Sequence, residues 1–320
     1  MPLEFQAPFD PDRETEFEPF PSVHAVFALF PEDRPGVVPY FGQTRDLRRR
    51  LRRLLAIPQE RTRRLNLRAI TRRVEYQPVG SSFEAQWLLY SLNREYDPGG
   101  SRRLRLKPPS LLKVKLRNRF PRCYPSTRLV ADGSLYFGPF PSRAATERFT
   151  GEFLNFFRIR RCVPNLDPDP SHPGCIYSQM KMCMAPCFKG CTDAEYADEV
   201  RRVIAFLESG GETLELELQT RRDEASANLE FEHAAEMHCE LEKVKAASKL
   251  RPPLVREVAN LHAVILLPGA AEKTVTFFRV LGGEMRGPVS LSLAENVSSP
   301  VSLDREIQNL MASLAGDENP

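Results

Sequence analysis

Five of the seven cysteines in this 320-residue chain fall between positions 162 and 191. Cys162, Cys175, Cys183 and Cys187 are spaced C-x12-C-x7-C-x3-C, and Cys191 follows four residues later. Thiolates bind soft metals, and four of them close either a tetrahedral zinc site or an iron–sulfur cluster. Zinc sites usually present two short Cys pairs. Here there is one short pair and two long gaps, and spacing alone leaves zinc and iron–sulfur both open. Free buried thiols would leave so dense a cluster unexplained. Cys123 and Cys239 stand apart and are read as unliganded.

Charge carries the second chemistry. Lys+Arg number 45 and Asp+Glu 42, a net of +3. That balance hides a split. Residues 41–130 hold 23 basic and 6 acidic side chains, a local +17, whereas residues 193–242 hold 4 basic and 15 acidic, a local −11. The stretch 44–57 sets Leu47, Leu51, Leu54 and Leu55 at helical spacing, with Arg45, Arg48, Arg49, Arg50, Arg52 and Arg53 on the remaining faces. Arg102, Arg103 and Arg105 begin a second stripe that runs through Lys113, Lys115, Arg117 and Arg119. The planar fork of arginine binds two phosphate oxygens at once. A solvated face is the bland explanation of a charge run, but acids are nearly absent here, which favours nucleic acid. Contacts to phosphate rather than to bases are expected, and hence salt-sensitive binding.

These groups need a scaffold. Apolar runs at 23–30 and 37–41 flank the turn signal PEDRPG and read as a hairpin. A helix at 44–57, a strand at 68–77 and a Ser-started helix from 81 that stops at Asp97-Pro98-Gly99 complete a β-β-α-β-α module. Residues 143–160 and 193–210 read as helices, 212–250 as a long acidic helical stretch, 261–267 and 273–281 as paired strands, and 302–316 as a closing helix. The fold class is α+β. The expected parts are a disordered lead-in (1–22), the α/β module (23–105), a basic linker with an aromatic loop and helix (106–160), the cysteine segment (161–192), a helical region (193–250) and a small β/α tail (251–320). No apolar run reaches the ~18 residues of a membrane span. The acidic, Pro-rich start lacks the parts of a signal peptide. The expectation is a soluble cytoplasmic protein with no membrane partner, a compartment where clustered thiols hold metal more often than they form disulfides.

Four blocks, in order, resemble one family. YFGQTRDLRRRLRRLL (40–55) is similar to the second half of a GIY-YIG nuclease motif. DGSLYFGPFPSRAATERFTGEFLNFFRIRRC (132–162) is similar to the block before a cysteine region, and CIYSQMKMCMAPC (175–187) to the cysteine motif itself. ASANLEFEHAAEMHCELEKV (225–244) is similar to a UVR motif. Over residues 23–285 the chain resembles the N-terminal half of UvrC, the endonuclease subunit of nucleotide-excision repair. The resemblance implies a GIY-YIG-like α/β domain and a [4Fe–4S] cluster on Cys162, Cys175, Cys183 and Cys187, with zinc as the alternative. It also implies duplex DNA as a partner, and a helical UVR hairpin that docks on a UvrB-like protein through Leu229, Phe231 and Glu232. His238-Cys239-Glu240 departs from the family's usual Arg-Asp-Gln. The family's RNase-H-like nuclease and helix-hairpin-helix modules are not expected within these residues.

The same resemblance indicates which nuclease residues remain. Tyr40, Gly42 and Arg50 fall on family positions. The first family tyrosine is Phe27, the usual lysine is Gln43, an expected Tyr or His is Leu54, and the Asn position is Ser101. The pattern E-A-x-x-x-E aligns on Glu84 to Leu89, so the metal-binding glutamate becomes Leu89. Leucine cannot hold Mg²⁺, which takes oxygen ligands. Glu84 lies about 140° around a helix from position 89. Neither Mg²⁺ nor Mn²⁺ is expected at this site. The reading is a degenerate nuclease domain kept as a DNA-binding or scaffold module. The alternatives are a short endonuclease that makes a single incision with other ligands, and a non-catalytic interaction protein acting through the hairpin.

Overall fold

Residues Ala25–Phe30 are buried at every position. The reason is a helix on each side of the strand. The computed structural model describes residues 3–13, 17–31, 37–57, 66–97, 108–163, 166–293 and 302–315. The chain divides into two units, one of Met1–Lys107 with Ala263–Val280 and Glu284–Pro320, the other of Pro108–His262 with Leu281–Gly283.

The first unit is built on strands β1 (Phe5–Pro8), β2 (Ala25–Phe30), β3 (Tyr40–Thr44) and β4 (Arg73–Pro78), ordered β1-β4-β2-β3 and paired antiparallel. Its helices are α1 (Leu47–Leu54), α2 (Leu67–Ile70) and α3 (Ser82–Tyr96). Side chains alternate along a strand. Ala25, Phe27 and Leu29 share a core with Leu47, Leu51 and Leu55, at α1. Val26, Ala28 and Phe30 share another with Ala85, Leu88, Leu89 and Leu92 of α3. The two helices therefore cover opposite faces of the sheet.

Two expectations are corrected here. The lead-in is not disordered where it is described: Phe5–Pro8 pairs with β4, and Phe9, Phe17 and Phe20 are buried in the α1-side core. Its Pro and Glu content masked these aromatic anchors. Residues 68–77 are not one strand, because Asn66 caps a helical turn at Leu67–Ile70 and the strand begins only at Arg73.

The second unit holds β5 (Ser110–Val114), β6 (Cys123–Ser126), β7 (Leu135–Phe140) and the short β8 (Arg256–Glu257), in the order β6-β5-β7-β8. Helices α4 (Arg143–Phe153), α5 (Ile176–Gln179), α6 (Asp193–Ser209), α7 (Glu212–Ala227) and α8 (Phe231–Ser248) accompany it. Residues 106–160 are thus no linker, because the described part, from 108, is a sheet and a helix. The basic composition concealed β5, whose Lys113 is buried with its ammonium on Asp132 at 2.7 Å and over the Tyr136 ring at 5.0 Å. Helix α4 ends at Phe153 in a 3-10 turn rather than running to 160. The core centres on aromatics, with Phe153 5.2 Å from Phe149 and stacked on Phe206 at 5.6 Å. Burying each such ring is worth roughly 1.5–3 kcal/mol.

Strands β9 (Ala263–Pro268), β10 (Thr274–Leu281) and β11 (Glu284–Ser292), ordered β11-β10-β9, and helix α9 (Leu303–Ala315) follow. The expected tail 251–320 is not one part. Arg256–Glu257 joins the second sheet, whereas Phe278 packs edge-on against Phe83 of α3 at 5.2 Å. Trp87 Nε1 donates to the carbonyl of Gly287 at 3.0 Å. The whole is a mixed α+β protein. No helix among the described residues is long and apolar enough to cross a membrane.

Candidate nucleic-acid face, cysteine loop and helical hairpin

Helix α1 starts where the Asp46 carboxylate accepts the N–H of Arg49 at 2.9 Å, an N-cap. Leu47 and Leu51 turn into the core, which leaves arginines outside. Arg48 is drawn in, its Nε donating to the Phe20 carbonyl at 2.7 Å. Arg52 meets Glu18 at 3.0 Å, and both side chains are mostly exposed. Such a pair contributes no more than about 1 kcal/mol. Arg45, Arg49 and Arg53 are exposed and form no ion pair among the described residues.

The nuclease-like residues gather at β3 and α1. In the sheet register Gly42 lies opposite Phe27, and a Cβ on Gly42 would come within 3.5 Å of the Phe27 ring. Tyr40 is 38% exposed, and its ring lies 6.3 Å from that of Phe27. Arg50 Nη2 reaches the Tyr40 hydroxyl at 3.4 Å, while Arg50 Nε is buried without a hydrogen-bond partner among the described residues. Gln43 is exposed and Leu54 packs against the α1-side core. Leu89 is buried in the core of the opposite face, away from this group. Glu84 has a structural task. Its carboxylate accepts the Gly80 N–H at 3.0 Å and its own N–H donates to the N-cap Ser81 Oγ at 3.1 Å, which together fix the start of α3. Burial pushes its carboxyl above the usual range, against the hydrogen bond from Gly80. Ser101, Arg102, Arg103 and Arg105 lie outside the described residues.

The cysteine loop is tightly tied. Asp169 N–H donates to the Cys187 carbonyl at 2.9 Å and Met184 N–H to the Arg158 carbonyl at 2.8 Å. Ser178 Oγ accepts the Cys175 N–H at 3.1 Å. Gly174, Lys181, Ala185 and Lys189 all adopt positive φ. Three non-glycine residues in that region within nine positions is strain concentrated around Cys183 and Cys187. All seven cysteines are free, with Cys183 and Cys187 buried and Cys162 and Cys175 half-buried. Burial pushes the Cys183 thiol up to about 11, despite the Ala185 N–H at 3.4 Å, and repulsion from Cys162, Cys175 and Cys187 adds to the rise. The other three thiols thus act electrostatically on Cys183. As the side chains stand, no group of three or more His, Cys, Asp or Glu among the described residues is arranged to hold a metal ion. Burial also pushes Cys123 up to about 12, and Cys239 is exposed on α8.

Helices α7 and α8 form a hairpin whose turn places Leu229 at φ 64°. Leu214, Leu218, Met237, Leu241 and Val244 face inward and are buried. Leu229 is 72% and Phe231 65% exposed, with Leu216 and Glu232 also exposed. The hairpin thus carries two apolar surfaces, a buried seam at Leu241 and Val244 and a bare tip at Leu229 and Phe231. A groove of about 700 Å³ along α8 is lined by Phe156, Glu232, Glu236, Cys239, Glu240 and Lys243 among others.

Comparison with known proteins follows this geometry. Residues 110–206 match the family profile described as UvrC/Cho excinuclease, middle domain. The chain is similar to UvrABC system protein C of Carboxydothermus hydrogenoformans, 32% identical over 68% of this chain and 37% of that protein. The corresponding protein of Saccharopolyspora erythraea is 31% identical over 80% of this chain and 36% of its own length. That of Ruminiclostridium cellulolyticum is 27% identical over 86% and 45%. The chain spans less than half the length of these relatives. No solved structure matches it. With its middle segment matched by that profile and similar proteins aligned along most of its length, the chain belongs to the UvrC family.

Proposed function

We propose that the chain is a nucleotide-excision-repair factor that binds DNA without cutting it at the GIY-YIG-like site. The observation that carries this reading is the surroundings of Tyr40 and Arg50. A tyrosine hydroxyl and a guanidinium with a buried, unsatisfied Nε remain there, beside Phe27 and Leu54. The position aligned with the metal-binding glutamate is Leu89, which packs in the core. Phosphodiester hydrolysis needs a Lewis acid or an equivalent group at the leaving oxygen. Arg50 still offers a donor for a phosphate oxygen, and Arg45, Arg49 and Arg53 extend a basic surface along α1.

The same reading gives the other two regions their roles. Cys162, Cys175, Cys183 and Cys187 would hold a [4Fe–4S] cluster, which would tie the strained loop together and add a redox couple. The bare tip of the α7–α8 hairpin would seat Leu229 and Phe231 in an apolar groove of a UvrB-like partner, with Glu232 at the rim. Exposed large apolar groups beside an acidic surround support helix-in-groove recognition.

Fluorescence anisotropy with duplex DNA, alongside a cleavage assay in Mg²⁺ or Mn²⁺, tests the proposal. Salt-dependent binding without cleavage is expected. Cleavage of nicked or damaged duplex that Tyr40→Phe abolishes would overturn the non-cutting site.

A further inference from the structure

The tip of the β5–β6 hairpin borders a cavity of about 250 Å³ lined by Arg117, Asn118, Arg119, Phe120, Arg160 and Leu166. Three arginines and one asparagine line it, with no acidic residue among the described lining. Its floor is rigid. Arg160 is 2% exposed, with Nε donating to the Phe120 carbonyl at 2.9 Å and Nη1 facing Cys162 Sγ at 3.9 Å. The Tyr196 hydroxyl accepts the Arg160 N–H at 2.9 Å and donates to the Pro121 carbonyl at 2.8 Å. The Phe120 ring stands edge-on to Tyr196 at 5.2 Å. Backbone and side-chain bonds thus pin both the hairpin tip and the buried arginine, while Arg117 and Arg119 reach solvent. Arg119 is held by a two-pronged bond to Asp193, at 2.8 and 3.1 Å. Both partners of that pair are more than half exposed, so the bond is exchangeable.

We propose that this pocket in the second unit binds a backbone phosphate of nucleic acid, a site additional to the α1 arginines. It rests on the DNA-binding reading given above. A cluster of three arginines and one asparagine at one pre-built pocket suits a phosphate group, whose oxygens accept from guanidinium and amide N–H donors. Arg117 and Asn118 supply donors at the mouth, and Arg160 supplies fixed positive charge at the floor. Arg119 joins by exchanging the Asp193 carboxylate for two phosphate oxygens, which its planar fork binds as it binds a carboxylate.

The test is anisotropy of the full chain with a labelled duplex across a salt series. Each phosphate contact adds about 0.9 to the slope of log affinity against log salt. Arg117→Ala is expected to raise Kd about fivefold and make the slope shallower by about 1. Asp193→Asn is expected to bind about threefold tighter, because it frees Arg119 and removes a nearby negative charge. Both residues are on the surface, so folding survives. An R117A variant with wild-type Kd and slope, or a D193N variant that binds no tighter, overturns the pocket and leaves binding by α1 standing. If the wild-type chain shows no salt-dependent binding, the DNA-binding reading falls and the pocket falls with it, whereas an R49A/R53A variant that binds as wild type removes α1 alone from the interface.

Discussion

The guanidinium of Arg50 reaches the hydroxyl of Tyr40 at 3.4 Å, yet its own Nε is buried with no partner among the described residues. A buried donor left unsatisfied costs about 1–3 kcal/mol. Fold stability alone gives no reason to keep it. Arg50→Met is therefore expected to leave the unfolding free energy unchanged or raise it by about 1 kcal/mol, while weakening duplex binding several-fold. Urea melts and anisotropy on the same preparation check both halves. A variant that binds DNA as well as wild type would remove Arg50 from the interface.

Restoring the missing carboxylate should not restore a nuclease. Leu89 is 5% exposed, and it belongs to the core on the α3 side of the sheet, whereas Phe27 belongs to the α1 side. Leu89→Glu places an acid among the apolar side chains of Val26, Ala28 and Leu92. It is expected to destabilise the fold by about 2–5 kcal/mol and to yield no metal-dependent cleavage. Cleavage in a folded L89E protein would show that the site needed only this one ligand.

The parts that were legible share strong local signals. Helix α3 announced itself through Ser81 and its stop at Asp97, and the acidic stretch 212–250 read as helical, its division into α7 and α8 coming only from the UVR resemblance. What stayed hidden was set by tertiary partners. Lys113 looked like part of a basic stripe, but Asp132 and Tyr136 let it lie inside β5. Phe9, Phe17 and Phe20 looked like a loose acidic leader because their core is contributed by α1 and β2. Sequence spacing could not single out Arg160, whose floor position depends on Phe120 and Tyr196 from distant segments.

The proposed docking separates from stability along one helix. Leu241 is 2% exposed and Phe231 65% exposed. Leu241→Ala is expected to cost about 2–5 kcal/mol of stability. Phe231→Ala should change it by less than about 0.5 kcal/mol and still abolish co-purification with a UvrB-like partner. Unchanged co-purification of the folded F231A protein would rule out the tip as the docking surface.

The cysteine loop predicts a graded response to thiol removal. Burial raises both thiols first, but the repulsion that follows comes from Cys162, Cys175 and Cys187 at Cys183, and from Glu195 and Asp193 ahead of Cys187 at Cys191. After anaerobic purification, wild type and Cys191→Ala should carry iron, sulfide and visible charge-transfer absorption. Cys183→Ala should lack all three. Zinc in place of iron would overturn the iron–sulfur assignment.

The Lys113–Asp132 pair makes acid sensitivity local. The bond from Lys113 at 2.7 Å, helped by Ser134, holds the Asp132 carboxyl at about 2, below its ordinary 3.8. A carboxylate depressed in the folded state binds its proton more readily when unfolded. Its stabilising contribution is therefore complete above 3.8 and disappears as pH falls toward 2. Asp132→Asn should lower stability at neutral pH, because the buried Lys113 ammonium loses its counter-charge. It should also flatten the fall in stability across that acid window. Urea melts of both proteins from pH 5 downward read the difference directly, and parallel acid limbs would mean that the pair does not govern acid unfolding.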